Sequence, residues 1–311
     1  MDRIKKIIRL LPVGMKAARR IINGKEIGFS FNLADRCPLG CNCYWRSMSR
    51  VPELNERQVI EFFQEKKKEG LLLATIVGGE PYVRSKLLGK IAGILPLTWV
   101  VTSGTVPFLS LKKTLHVISV DGKDPETHDR LRRSPGLFNR ILKNLENANR
   151  DFKNFPAIIH VVLNKANFKQ IGSILEFWGN SALVDGVTFS FHTPTKGSGD
   201  EHLILNLNEK EQAIGELFAR KKEYGKFLYL APAMIRSLHP SVTQKYSWEN
   251  CPTVKWVQSF NASGKKLLPC NFSENADCRS CGCIINLSLA NIIKCLPDFQ
   301  TLHVTARAYV M

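Results

Sequence analysis

The chain has 311 residues, an ordinary apolar content of 44% and nine cysteines, and it carries a formal net charge of +17. That length holds one large α/β domain with an appendage, and the composition excludes a disordered chain and a multi-span membrane protein. No apolar run reaches the length of a bilayer-crossing helix, and basic residues interrupt the start with no small-residue cleavage site behind them, so a cytoplasmic chain is expected.

Part of the positive excess is local. Residues 1–25 hold eight basic residues against the single acid Asp2. Ile4, Ile7, Ile8 and Leu11, then Met15, Ala18 and Ile22, recur at helical spacing among Lys5, Lys6, Arg9, Lys16, Arg19 and Arg20. This segment reads in two ways. One is a basic amphipathic helix on an anionic membrane surface, a peripheral contact; the other is a helix packed on the body with a solvated basic face.

Residues 28–33 read as a strand, with Phe29, Phe31 and Leu33 alternating with smaller residues. Three cysteines then fall within seven residues, at Cys37, Cys41 and Cys43. Asn55 with Gln58 has the form of a capping box and opens a helix that stops at Gly70. Residues 71–77 form a short continuous apolar run, as a buried parallel strand does, and end in Gly78-Gly79-Glu80-Pro81. A helix over 84–94 and a strand over 98–102 follow, the strand ending at Ser103-Gly104-Thr105. Residues 115–120 are the next strand, ending in Asp121-Gly122. Ser134-Pro135 opens a helix with Pro at its first position. A strand over 157–163, a helix through Ile171, Ile174 and Phe177, a strand over 184–191 and a helix capped by Asn208 and Glu211 complete the series. Six strands alternate with helices, except between the third and fourth, which argues for parallel βαβ units with the function on the carboxyl ends of the strands. Asn164 and His192 follow the fifth and sixth strands and face the same rim. A lone His there is more often structural than catalytic.

Most of the nine cysteines are clustered. Without an export signal, that favours thiolates binding metal over disulfides. Cys37, Cys41 and Cys43 suit an iron–sulfur cluster, and three ligands to a four-iron cluster leave one iron open. Asn42 alone separates Cys41 from Cys43. In an extended strand their side chains point to opposite faces; in a curled loop both reach one cluster. Gly78 and Gly79 let another group approach the backbone closely, and Glu80 is a carboxylate beside them. A zinc site, free thiols and a plain strand-to-helix turn at Pro81 are the bland readings of the same residues.

Together the cysteine loop and Gly78-Gly79-Glu80-Pro81 resemble the radical S-adenosylmethionine (SAM) superfamily, over roughly residues 28–195. That superfamily usually spaces its cysteines C-x3-C-x2-C; here the second gap is one residue shorter. Its fold implies a partial (β/α)6 TIM-like barrel. Residues 26–225 would form it, after the amphipathic segment 1–25 and before a cysteine-rich extension over 226–311. The resemblance implies a 4Fe-4S cluster on Cys37, Cys41 and Cys43. It also implies SAM bound through its amino and carboxylate groups, a low-potential electron donor of the flavodoxin or ferredoxin kind, and a 5′-deoxyadenosyl radical that abstracts hydrogen from substrate. Gly78, Gly79, Glu80 and Pro81 would hold the SAM amino group. Ser103 and Thr105 lie on the same rim. Ser119 and Asp121 would lie near the ribose and methionine, as in SPASM-type members. One of Arg130, Arg132 and Arg133, here Arg133, would pair with the SAM carboxylate. The family's adenine-side aromatic precedes the third cysteine; here Tyr44 follows it. His128 and Asp129 read as a hydrogen-bond network at a helix start.

Cys251, Cys270, Cys278, Cys281 and Cys283 form a second set within 33 residues. It resembles SPASM or twitch extensions and implies one auxiliary iron–sulfur cluster, with zinc the alternative. Cys295 reads as a buried core thiol. The stretch from Trp256 through Gly264 to Pro269-Cys270, and Asp185-Gly186-Val187, are weakly similar to the hopanoid adenosyltransferase family. The leading expectation is a radical SAM enzyme acting on a small-molecule or lipid substrate. SPASM-type peptide maturation is an alternative. So is a non-catalytic zinc protein on nucleic acid, which lacks interleaved aromatic and basic residues and leaves Gly78-Gly79-Glu80-Pro81 unexplained.

Overall fold

The computed structural model describes residues 2–41, 51–197, 199–271 and 276–283, with side chains from residue 12 onward and Pro252 excepted. Cys43, Tyr44 and Cys295 lie outside the described residues. In chain order the elements are α1 (Asp2–Ile22), β1 (Gly28–Ala34), α2 (Glu56–Lys68), β2 (Leu73–Gly78), α3 (Ser85–Ile91), β3 (Leu97–Thr102) and β4 (Thr114–Ser119). Then come α4 (Pro125–Arg132), α5 (Leu137–Asp151), β5 (Ala157–Leu163), α6 (Ile171–Ser181), β6 (Gly186–Phe191) and α7 (Leu207–Tyr224). Short helices α8 (Pro232–Ser237), α9 (Pro240–Thr243) and α10 (Pro252–Trp256) lead to a hairpin of β7 (Val257–Phe260) and β8 (Lys266–Leu267).

One sheet contains the eight described strands in the order β6-β5-β4-β3-β2-β1-β7-β8. Strands β1 to β6 are parallel and adjacent in chain order, which is the expected partial (β/α)6 barrel. Strand β7 was not expected. It adds to the free edge of β1 in parallel, from Gly28↔Val257 to Phe31↔Phe260, and β8 turns back antiparallel. Four residues are too few to show a period, so pattern reading passes over them. At the other edge, Tyr229 N–H donates to Val187 O (2.7 Å) and Val187 N–H to Phe227 O (2.9 Å), so a short segment after α7 lies along β6.

The strands sort their side chains by alternation. Phe29, Phe31 and Leu33 of β1 face the helices and meet Val59, Phe62 and Phe63 of α2, with Phe29 and Phe63 rings edge-on at 5.0 Å. Burying each such side chain contributes roughly 1.5–3 kcal/mol. The helix-facing core continues through Ile76, Val100, Ile118, Ile159, Val161, Val187 and Phe189. The residues between them line the lumen.

Three local expectations shift. Helix α5 starts at Leu137, not at Pro135, because the Asp129 carboxylate caps it, accepting from the backbone N–H of Gly136 (2.6 Å) and Phe138 (2.8 Å). Helix α7 is capped two residues earlier than expected, by Asn206 and Glu209, whose side chains and backbone N–H groups bond reciprocally. Helix α4 was read only as a hydrogen-bond network; it is an eight-residue helix with Asp124 as N-cap and Pro125 at its first position.

Candidate functional site

The cysteine loop leaves the carboxyl end of β1 and lies directly over the turn that ends β2. Gly79 N–H donates to Ala34 O (2.7 Å) and Glu80 N–H to Arg36 O (2.9 Å). The residues that lead from β1 into the cysteine loop are therefore hydrogen-bonded to the glycine turn. The glycines are required by this contact. A Cβ on Gly78, which sits at φ 132°, would meet Ala34 O at 2.3 Å, and one on Gly79 would meet Arg36 O at 2.2 Å. The base of the loop is closed by further bonds. Asp35 Oδ2 accepts from Val51 N–H (3.2 Å), Glu53 Oε1 accepts from Asp35 N–H (3.0 Å), and Arg84 donates to Leu33 O and Leu54 O.

Within the loop, Cys37 is exposed and Cys41 is buried. The Cys37 thiol is pushed up to about 11, mainly by desolvation, with Cys41 and Glu80 adding to the rise; the Leu39 backbone and Arg132 oppose it. Cys41, Glu80 and Arg132 thus all lie within electrostatic reach of Cys37.

Glu80 is fully buried and its carboxylate takes four hydrogen bonds. Tyr82 N–H (3.0 Å) and the Thr102 hydroxyl (2.7 Å) reach Oε1; Ser103 N–H (2.7 Å) and the Ser103 hydroxyl (2.5 Å) reach Oε2. A carboxylate offers about four lone-pair sites, so the chain itself fills them. Ser103 Oγ is 3.1 Å from Thr105 Oγ1, which ties the end of β3 to the same network.

Asp121, buried at the end of β4, links β4 to α4, to β5 and to the turn after β5. Its Oδ2 is paired with Arg132 of α4 at 2.6 and 2.7 Å, its Oδ1 accepts from Val162 N–H of β5, and its backbone O accepts from Asn167. Arg132 and its other partners hold the carboxyl below the usual range despite burial. Its N–H donates to Nδ1 of His128, whose pKa desolvation pushes down to about 4, so His128 is a neutral acceptor, as a helix-start network requires. Arg133 stands apart. It is the C-cap residue of α4 in the left-handed conformation (φ 49°) and is exposed. Of the three arginines, Arg132 is the one at the rim near the cysteine loop.

Of the polar residues that line the lumen, the sequence pointed only to Ser119. Ser30 and Asn32 of β1, Thr75 of β2, Ser119 of β4, His160 of β5 and Ser190 of β6 face it by alternation. His160 Nε2 and Ser190 Oγ are 2.6 Å apart, and burial pushes His160 down to about 4, so the imidazole is neutral. Asn32 is 1% exposed and its Oδ1 has no partner. Asn271 donates to Ser30 Oγ, and its own Oδ1 is unpartnered. Trp99, Val101, Leu115, Val117, Ile158 and Tyr229 form an apolar cluster between these polar walls. The signal was present as polar residues at every second position of otherwise apolar runs.

Asn164 makes the turn after β5, through Asn167 and Ala166. His192 is not alone: its Nε2 is 3.0 Å from Oδ2 of the buried Asp200. Next to it the second cysteine set is laid against the chain leaving β6. Phe191 N–H donates to Gly282 O, Gly282 N–H to the Thr193 hydroxyl, and Asp277 N–H to Pro194 O. Gly282 is required there, because a Cβ would meet Phe191 at 2.4 Å. Cys251 is buried, whereas Cys270, Cys278, Cys281 and Cys283 are half-buried. Burial pushes the Cys278 thiol up to about 11, with Cys281 and then Cys251 adding their charges, so these three share one neighbourhood. Among the described residues, no three His, Cys, Asp or Glu side chains surround a single-ion position.

No family model matches the chain. It is 28% identical over 209 residues to the AdoMet-dependent heme synthase of Methanosarcina barkeri (strain Fusaro / DSM 804), covering 62% of this chain and 58% of that relative. Among solved structures it superposes on Streptococcus suis SuiB bound to S-adenosylmethionine with a TM-score of 0.64 at 15% identity, over 79% of this chain and 60% of that one. This is the radical SAM fold. A second structure with the radical SAM fold, anSMEcpe with bound AdoMet and the Cp18Cys peptide, gives a TM-score of 0.60 at 15% identity over 84% of this chain and 79% of that one. SuiB bound to its precursor peptide SuiA matches over 90% of this chain, with a TM-score of 0.64 at 14% identity. The chain thus spans under two thirds of both the curated relative and the SAM-bound SuiB. No described helix is long and apolar enough to cross a membrane.

Proposed function

We propose that this chain is a radical SAM enzyme that reductively cleaves SAM and modifies an organic substrate held in the barrel lumen. The observation that supports this reading is the bonding of Ala34 and Arg36, at the entry to the cysteine loop, to Gly79 and Glu80, with Glu80 and Arg132 within electrostatic reach of Cys37. The residues fit an iron–sulfur cluster: Cys37 and Cys41 lie on one loop with clasped ends, and Cys43 belongs to the same motif. Cys37, Cys41 and Cys43 would hold the cluster, which would supply the one electron needed for reductive cleavage of SAM and so the hydrogen-abstracting chemistry.

The chain's own residues divide the remaining work. The Gly78–Gly79 backbone fixes the loop and leaves main chain open to the SAM amino group. Glu80, filled by its four donors, positions the ends of β2 and β3. Asp121 aligns Arg132, whose planar fork suits the SAM carboxylate. Ser103, Thr105 and Ser119 surround the ribose side, and Tyr44 follows the third cysteine. The neutral His160, Ser190 and the unpartnered carbonyls of Asn32 and Asn271 offer hydrogen bonds to substrate polar groups, with the apolar cluster taking its body. That mixture suits an amphipathic substrate such as a lipid precursor. The AdoMet named in the heme synthase relative and bound in the SuiB and anSMEcpe structures supports the cofactor.

Peptide modification is the second reading, favoured by the superposition on the peptide-bound SuiB and anSMEcpe structures. Under either reading Cys251, Cys278 and Cys281, with Cys270 or Cys283, would hold an auxiliary iron–sulfur cluster, and a low-potential donor of the flavodoxin or ferredoxin kind would supply electrons. The test is anaerobic reconstitution with iron and sulfide, then dithionite and SAM. The expected result is 5′-deoxyadenosine formed by an iron-loaded protein with absorbance near 400 nm (roughly, for a thiolate-bound cluster). Iron-loaded protein that leaves SAM intact would end the proposal.

A further inference from the structure

Among the described side chains of helix α1, Met15, Ala18 and Ile22 turn outward. Ile21 packs with Trp256, Val257 and Ile27, while Arg20 donates to Glu26 O and Glu69 O. Val13, Ala17, Arg20 and Ile21 are half-buried and form the inward face. Met15, Ala18 and Ile22 are three and four residues apart, on the opposite side. Met15 is 71% exposed, Ile22 is 83% exposed and Ala18 is also exposed. The sequence period that should bury a helix on the body instead marks its solvent side. Lys16 and Arg19, both exposed, border that stripe.

From this geometry we infer that α1 is a surface-lying membrane anchor for an anionic bilayer. Charge selects the occupant. The first 25 residues hold eight basic residues and one acid, so two copies of this helix repel each other, whereas anionic headgroups attract it at about 1 kcal/mol per basic residue near the surface. The exposed stripe supplies the apolar face that enters the headgroup boundary. Anchorage is at one pole: Ile27 and Val257 are at the amino ends of β1 and β7, and Glu69 follows the last turn of α2. The cysteine loop and Arg132 are at the carboxyl ends, the other pole. The membrane therefore tethers the chain by its base, and substrate reaches the rim from another direction. This inference does not depend on the assignment of the SAM site.

The test is sedimentation of the full chain with vesicles of phosphatidylcholine alone and with phosphatidylcholine containing phosphatidylglycerol. Wild type is expected to pellet with the anionic vesicles and about tenfold more weakly with the neutral ones. Met15→Glu with Ile22→Glu is expected to lower anionic-vesicle binding about tenfold or more with circular dichroism and SAM cleavage unchanged. Lys16→Glu with Arg19→Glu, which spares the stripe, provides a second arm and is expected to weaken binding and flatten its salt dependence. Failure of wild type to pellet, or pelleting unchanged in both double variants, overturns the inference. So does a self-association broken by Met15→Glu in the absence of any vesicle binding, which would assign the stripe to a second copy of the chain.

Discussion

Glu80 is the residue whose environment is most completely specified. Four donors converge on it, and a carboxamide presents one accepting oxygen where the carboxylate presents two. Glu80→Gln leaves at least two of those donors facing an NH2 group, at about 1–3 kcal/mol for each buried donor left unmatched. Urea unfolding should show that loss; a variant as stable as wild type would mean that the network is not held as described. Arg132 is the second informative residue. Its Nε and one Nη are bonded to Asp121, which fixes the plane of the fork. Arg132→Lys is expected to raise the KM for SAM about tenfold, more than Arg133→Lys does, because an ammonium cannot bridge Asp121 and a second carboxylate in one plane. Steady-state 5′-deoxyadenosine assays decide between them. The sequence brought all three arginines into view, and the expectation fell on Arg133. Their distinction depends on where α4 ends, and Arg133 is the left-handed residue that ends it.

At the scale of elements, the glycine pair gives a test with an internal control. Gly79→Ala forces a Cβ against Arg36 O, so the base of the cysteine loop must move, and iron retention after desalting is expected to fall. Gly89, inside α3, has nothing within 4 Å of its would-be Cβ, so Gly89→Ala should leave iron unchanged and add about 0.5–1 kcal/mol of stability. Equal iron content in both variants would contradict the role given to the pair. The order of elements was legible because period and punctuation agreed: the alternation in β1, the Asn55–Gln58 box at α2 and the apolar run of β2 all formed where their chemistry put them. Helix α5 was placed early because its cap comes from Asp129, outside the helix pattern. Helix α7 was placed late because two Asn–x–x–Glu sets overlap, and only Asn206–Glu209 closes. Strand β7 was missed because its evidence is a partner: the free edge of β1.

At the scale of the molecule, burial controls protonation. His116, stacked on Phe155 at 4.3 Å, and His128 are both pushed down to about 4 by desolvation. Between that value and the unfolded value near 6.5, the unfolded chain binds protons that the folded chain does not. Stability from these groups is complete above about pH 6.5 and is lost as pH falls toward 4, by about 1–2 kcal/mol for each His at pH 5. Thermal melts from pH 7.5 to 5 should show a falling midpoint, and a flat profile would contradict the burial of both rings. Cys37 and Cys41 sit on the carboxyl-end rim, and the segment of Cys278, Cys281 and Cys283 lies against the chain leaving β6. Cys278→Ala with Cys281→Ala is expected to lower iron from roughly eight to four per chain if both sets hold four-iron clusters, with unchanged iron assigning the second set to another role.

The most direct measurement is electron paramagnetic resonance of the anaerobically reconstituted, dithionite-reduced protein, titrated with SAM. If the N-terminal thiolates hold a cluster with one iron open to an amino-acid chelate, the reduced signal shifts on SAM addition and Cys41→Ala abolishes both the signal's SAM response and 5′-deoxyadenosine formation. A reduced signal indifferent to SAM, or one whose SAM response survives the loss of Cys41, would contradict it.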